Sequence, residues 1–157
     1  MKEQKHQIQQ TGFTLTELLI AVAIIGIIGA TALPNYLNQI NRSRQNEAAS
    51  TISQIQTTIA AYADEFGELP KSWAELNDSS AVMTENGPAT SSNFKTIALA
   101  GDFYEVYINN EDNYFTITAT HDNEPNLNII ACVNLTNGAS AINKGTKAAA
   151  AAAPNCG

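Results

Sequence analysis

The sequence predicts an α+β protein in which one long N-terminal helix packs against a four- to five-stranded antiparallel sheet. Three observations carry this. Residues 18–33 contain no charge and are almost wholly Leu, Ile, Val and Ala. Counted from Phe13 at ~1.5 Å per residue, the apolar run is long enough to cross roughly 30 Å of hydrocarbon as a helix. Next, Ala48, Ile52, Ile55, Ile59, Tyr62 and Phe66 recur at intervals of three and four, which places them on one stripe of a continuing helix. Finally, the C-terminal half alternates apolar and polar residues in short runs separated by turn residues, the pattern of an antiparallel meander.

The start of the first helix is marked by Gly12-Phe13-Thr14-Leu15-Thr16-Glu17-Leu18. Thr14 and Glu17 have capping-box spacing, so Glu17 can reach back to the amide that opens the helix. A carboxylate beside so apolar a run costs on the order of 1–3 kcal/mol in lipid unless it is paired or lies at the interface. Lys2 and Lys5 precede the run, and positive residues there keep that end cytoplasmic. Ala30-Thr31-Ala32 is also an A-x-A triplet after an apolar run, so a secretory cleavage leaving Leu33 as the first residue competes with a retained helix.

This N-terminal block resembles the class III signal of type IV pilins and the related pseudopilins. Only Thr16 departs, where a bulky aliphatic is commoner. The resemblance covers residues 2 to about 66 closely and the remainder in outline. It implies a leader over residues 1–12 cut after Gly12 by a prepilin peptidase, and Phe13 as a new, N-methylated terminus. It also implies a role for Glu17 in assembly, through pairing with an α-amine. Residues 13–34 then form a transmembrane and filament-core helix, residues 35–66 its amphipathic continuation, and residues 67–157 a globular head. Pro34 matches the family's helix-interrupting proline. Pro34 also removes one helical N–H, and Gly26 and Gly29 lower helix propensity, so a kink or break is expected across Gly26, Gly29 and Pro34. The same glycines permit close helix packing. Arg42 and Arg44 follow, to meet acidic groups of neighbouring subunits or to be solvated.

In the head, Gln54, Gln56, Thr57 and Thr58 are expected on the uncovered faces of the helix, and Gly67 ends it. Ser72-Trp73-Ala74-Glu75 is a second capping box, predicting a short helix from Trp73 to Leu76, with Trp73 plugging the base of the sheet. Residues 77–93 read as a long polar loop. Strands are expected over 94–100, 103–109, 114–120 and 128–136, and Asn137-Gly138 turns the chain toward a further run at 139–143. Alternation directs Ile97, Leu99, Tyr104, Val106, Ile108, Phe115, Ile117 and Ala119 toward the helix stripe.

Cys132 and Cys156 fall in the part that this topology places outside the cytoplasm. A disulfide follows from that compartment, with two unpaired buried thiols as the alternative. The resemblance implies the disulfide-closed terminal loop seen in many type IV pilins and usually lacking in pseudopilins. Asp122-Asn123-Glu124 is either a weak calcium loop or a solvated turn. Asn41-Arg42-Ser43, Asn77-Asp78-Ser79 and Asn134-Leu135-Thr136 have the N-x-S/T form. We find no catalytic, cofactor-binding or metal motif: the histidines are His6 and His121, and no zinc or phosphate-loop spacing occurs.

The formal charge of −7 becomes −8 once residues 1–12, with Lys2, Lys5 and Glu3, are removed. So acidic a chain is a poor partner for nucleic acid, which wants a basic face. The expected function is a structural one, not an enzyme's. It is a prepilin that crosses the inner membrane once with its head outside the cytoplasm, engages the assembly platform and polymerises with copies of itself into an extracellular pilus. A pseudopilin of a type II secretion or DNA-uptake machine, and a soluble secreted module released at Ala32, are the alternatives.

Overall fold

The computed structural model describes residues 12–157. The leader expected over residues 1–12, with Lys2, Lys5 and His6, lies outside the described residues except for Gly12. The chain divides into two compact units, Met1–Ile40 and Asn41–Gly157. One helix, α1 (Leu15–Phe66), contributes to both.

In the first unit α1 is continuous through Gly26, Gly29 and Pro34, so the expected break is not a loss of helix in the isolated chain. Pro34 withholds only one backbone donor, whereas opening a turn would expose several polar groups. Side chains also brace this turn: Thr31 Oγ1 donates to Ile28 O at 3.1 Å, and Asn35 Nδ2 to Thr31 O at 3.4 Å.

In the second unit α1 buries Ala48, Ile52, Ile55, Ile59 and Tyr62, the predicted stripe. Ile52, Ile55 and Ile59 are completely enclosed, and burying each such side chain contributes roughly 1.5–3 kcal/mol. Phe66 departs from the expected stripe. It is 48% exposed and leans on Tyr62, ring centroids 4.6 Å apart. Gln56 and Thr58 depart in the other direction, both being buried. Thr58 satisfies itself by donating to Gln54 O at 2.9 Å, and Gln56 finds partners on the sheet. Gly67, at φ 68°, takes the left-handed conformation that stops the helix at little cost.

A short helix, α2 (Trp73–Ser79), begins where the capping box predicts: Ser72 Oγ accepts from Glu75 N at 3.2 Å. Glu75 Oε2 accepts from Lys71 N at 2.6 Å. Trp73 is fully buried, donates through Nε1 to Lys95 O at 2.7 Å, and meets Phe94 edge-on.

The expected loop over 77–93 contains a small hairpin, β1 (Met83–Thr84) with β2 (Gly87–Pro88). Asn77 supports it from α2, donating to Ala89 O and accepting from Val82 N. The main sheet runs β3 (Ile97–Ala98), β4 (Tyr104–Glu111), β5 (Tyr114–His121), β6 (Ile129–Asn134) and β7 (Ala139–Lys144). Neighbours in sequence are neighbours in the sheet, all antiparallel. The strand expected over 94–100 pairs with β4 at only two residues; Leu99 bridges to Thr84 of β1, and Phe94 packs on Trp73 and Phe115. Asp112-Asn113 makes the tight β4–β5 turn, Asp112 adopting φ 51°. Every residue predicted to face the helix from β3, β4 and β5 is buried, Leu99 just beyond β3 included.

Candidate functional site

Two features carry the functional reading: the entry to α1 in the first unit and the disulfide-closed tail in the second.

At the entry, Thr14 and Glu17 cap each other. Thr14 N and Thr14 Oγ1 both donate to Glu17 Oε2, at 2.9 and 2.7 Å, while Glu17 N donates to Thr14 Oγ1 at 3.2 Å. Among the described residues no hydrogen bond uses Oε1, so one carboxylate oxygen caps the helix and the other is left unengaged. Phe13, one residue before, is 92% exposed, and Gly12 has open space where a Cβ would stand. Residues 12–39 are all exposed, including Leu18, Leu19, Ile20, Val22, Ile24 and Ile25. Mean hydropathy over the richest window of this helix is 2.2, high enough for a membrane span. Uncovered apolar surface of this length requires lipid or other helices around it. Gly26 and Gly29 also have open space where a Cβ would stand, so nothing in the isolated chain uses their smallness.

In the second unit Cys132 on β6 and Cys156 form a disulfide, with Cα atoms 6.1 Å apart and both residues buried. The segment it closes is held along its length by backbone bonds and side-chain amides. Gly145 N donates to Asn128 O at 2.8 Å, and Ala151 N to Asn128 Oδ1 at 2.7 Å. Asn143 Nδ2 donates to Ala152 O at 2.9 Å. Asn134 Nδ2 and Asn137 Nδ2 both donate to Cys156 O, at 3.1 and 3.2 Å. Gln56 reaches across from α1 to Cys132 O and Ala141 O, and Gln45 to Leu127 O and Gly145 O. A Cβ on Gly145 would stand 1.9 Å from Asn126 O, so only glycine admits this approach. Sequence alone puts Gln56 on an uncovered face and reads Asn134 and Asn137 only as an N-x-T triplet and a turn, so these contacts were not legible in it.

The remaining candidates have local roles. Arg44 lies over the Phe103 ring, 3.4 Å from its centroid, a cation–π contact within the unit. Arg42 is exposed. His121 is buried, and its Nδ1 accepts from Asn123 N and Glu124 N, both at 3.2 Å. The imidazole therefore organises the turn considered as a calcium loop, and among the described residues no three His, Cys, Asp or Glu side chains gather. Tyr104 packs edge-on to His121 and donates to Leu127 O at 2.9 Å. Burial pushes its phenol up to about 12 by disfavouring the phenolate. In the N-x-S/T triplets, Asn77 and Asn134 have committed their amides to hydrogen bonds, while Asn41 is half-buried on α1. A groove of about 120 Å³, lined by Arg44, Glu47, Met83, Leu99 and Phe103, is smaller than the roughly 300 Å³ of ordinary small-molecule sites.

Residues 8–33 match the family described as the prokaryotic N-terminal methylation motif. The chain is similar to Fimbrial protein Q of Moraxella bovis, 32% identical over 127 residues, covering 79% of this chain and 76% of the relative. It is similar also to the type IV major alpha-pilin of Moraxella bovis, 33% identical over 126 residues, with coverage of 79% and 76%. The type IV major fimbrial protein FimA of Dichelobacter nodosus is 52% identical over 50 residues, 32% of each chain. No solved structure matches.

Proposed function

The chain belongs to the type IV pilin family, and from that premise we propose how this subunit of a pilus is matured and assembled. A prepilin peptidase cuts the Gly12–Phe13 bond on the cytoplasmic side of the inner membrane, and Phe13 is N-methylated. Until then the helix over residues 13–34 holds the subunit in the bilayer with its head outside. The assembly platform then transfers that helix from lipid into the filament core, where copies of the same apolar surface cover one another. The reciprocal Thr14–Glu17 cap carries this reading, because it fixes the carboxylate four residues beyond Phe13 while leaving Oε1 unengaged. Cutting creates a cationic α-amine, and a carboxylate already held in place can receive it from the same chain or an incoming copy. Gly26, Gly29 and Pro34, helical in the isolated chain, are where α1 loosens during packing, since propensity is lowest there.

Two substitutions test the scheme. Gly12→Leu should leave untrimmed precursor in the membrane, and normal trimming would refute the cleavage assignment. Glu17→Ala should be trimmed normally yet be depleted from sheared surface fibres; normal incorporation would reduce Glu17 to a helix cap.

A further inference from the structure

The chain contains two Asn-Gly dipeptides, each with its asparagine exposed, and their surroundings differ. Asn137-Gly138 lies at the turn from β6 to β7 and is tied on every side. Asn137 Oδ1 accepts from Ala139 N at 2.8 Å, Asn137 Nδ2 donates to Cys156 O at 3.2 Å, and Gly138 N donates to Asn134 O at 2.8 Å. The carbonyl it grips belongs to a residue fixed by the disulfide.

Asn86-Gly87 lies at the tip of the β1–β2 hairpin, where Glu85 and Asn86 form the turn between paired Thr84 and Gly87. The Asn86 backbone N donates to Thr84 Oγ1 at 3.2 Å, and among the described residues no hydrogen bond reaches the Asn86 side-chain amide. Gly87 N is engaged only in the ladder with Thr84, and a Cβ built on Gly87 would meet nothing within 4 Å, so that face of the turn is uncovered. The hairpin has only two residue pairs, and its further anchors, Ala89 N to Val82 O at 2.8 Å, the Asn77 contacts and the Thr84–Leu99 bridge, all stop short of Glu85 and Asn86.

From this contrast we infer that Asn86 is a site of spontaneous modification, converted to aspartate and isoaspartate, whereas Asn137 is protected. The Gly87 backbone nitrogen loses its proton and attacks Asn86 Cγ. A C–N bond forms, the Cγ–NH2 bond breaks, and ammonia leaves with the proton, giving a cyclic succinimide. Water then opens the ring at either carbonyl: one opening gives an ordinary aspartate, the other an isoaspartyl linkage with an extra methylene in the main chain. No oxidant, metal or enzyme is needed. Either product adds one negative charge beside Glu85. The isoaspartyl form also disrupts the Thr84 staple, in which Oγ1 donates to Gly87 O at 2.6 Å while accepting from Asn86 N. An ageing subunit thus acquires a more acidic, rerouted tip on β1–β2, while its disulfide-closed tail stays chemically unchanged.

The test uses the full chain in detergent micelles, incubated warm at mildly alkaline pH and followed by peptide mapping that separates Asp from isoAsp. The peptide containing Asn86 should convert to both products, and the peptide containing Asn137 should lag by roughly ten-fold or more, the factor expected from its added hydrogen bonds. Reduction and denaturation before incubation should bring the two rates together. Asn86→Gln should abolish the early charge variant. Equal rates in the folded protein, or an Asn86 that stays intact while Asn137 converts, would overturn the inference.

Discussion

Gln56 on α1 donates to the backbone carbonyl of Cys132 at 2.7 Å, so the residue carrying the disulfide is gripped from the helix by its main chain and from the tail by its sulfur. The same Nε2 donates to Ala141 O at 3.1 Å, which joins the last two strands of the sheet to the helix. Gln45 repeats the device nearer the start of the second unit, with Gly145 O at 2.8 Å and Leu127 O at 3.2 Å. Buried amides thus fix where the chain turns from sheet to tail.

Gln56→Leu keeps the volume but leaves carbonyls without their donor. An unsatisfied buried polar group costs about 1–3 kcal/mol. A loss in that range is expected by urea unfolding in detergent, whereas exposed Gln54→Leu should change stability by less than about 0.5 kcal/mol.

Removing the disulfide by the paired substitution Cys132→Ala, Cys156→Ala is expected to cost roughly 3–4 kcal/mol, the chain-entropy value for a closed loop of this length. The amides of Gly145 and Ala151, which donate to Asn128 O and Asn128 Oδ1, should still be protected in hydrogen exchange. Loss of protection throughout the tail would show that the disulfide alone orders it.

Tyr104 sets an alkaline limit. Its side chain is buried, and that burial raises its phenol from 10.0 to about 12, so the folded state holds the proton more tightly than the unfolded chain. Stability from this source is complete below about pH 10 and is lost as pH rises toward about 12, by up to roughly 2–3 kcal/mol. Tyr104→Phe should flatten that part of the profile. It should cost only about 1 kcal/mol at neutral pH, since Leu127 O still accepts from Gln45.

The helix stripe and the five-strand sheet were legible in the sequence because period and alternation report burial directly: Ile52, Ile55 and Ile59 lie where their spacing puts them. Gln56 was misread because polarity argues for exposure, and its reasons for burial, Cys132 O and Ala141 O, lie 76 and 85 residues away. Phe66 was misread for the converse reason, falling on the stripe's period at the last turn, where the helix is ending. The β1–β2 hairpin escaped notice because two-residue strands show no alternation. At the entry to α1 the Thr14–Glu17 cap was legible from spacing alone; the unengaged Oε1 was not, since it depends on which carboxylate oxygen takes the bonds.

The central claim is that the apolar helix, freed of its leader, remains part of the assembled subunit. The intact mass of the protein recovered from sheared surface fibres tests it directly. The expected mass is that of a chain beginning at Phe13, with one added methyl group and two hydrogens lost to the Cys132–Cys156 bond. A mass corresponding to a chain beginning at Leu33 would contradict the account, because the filament would then lack the helix proposed to build it.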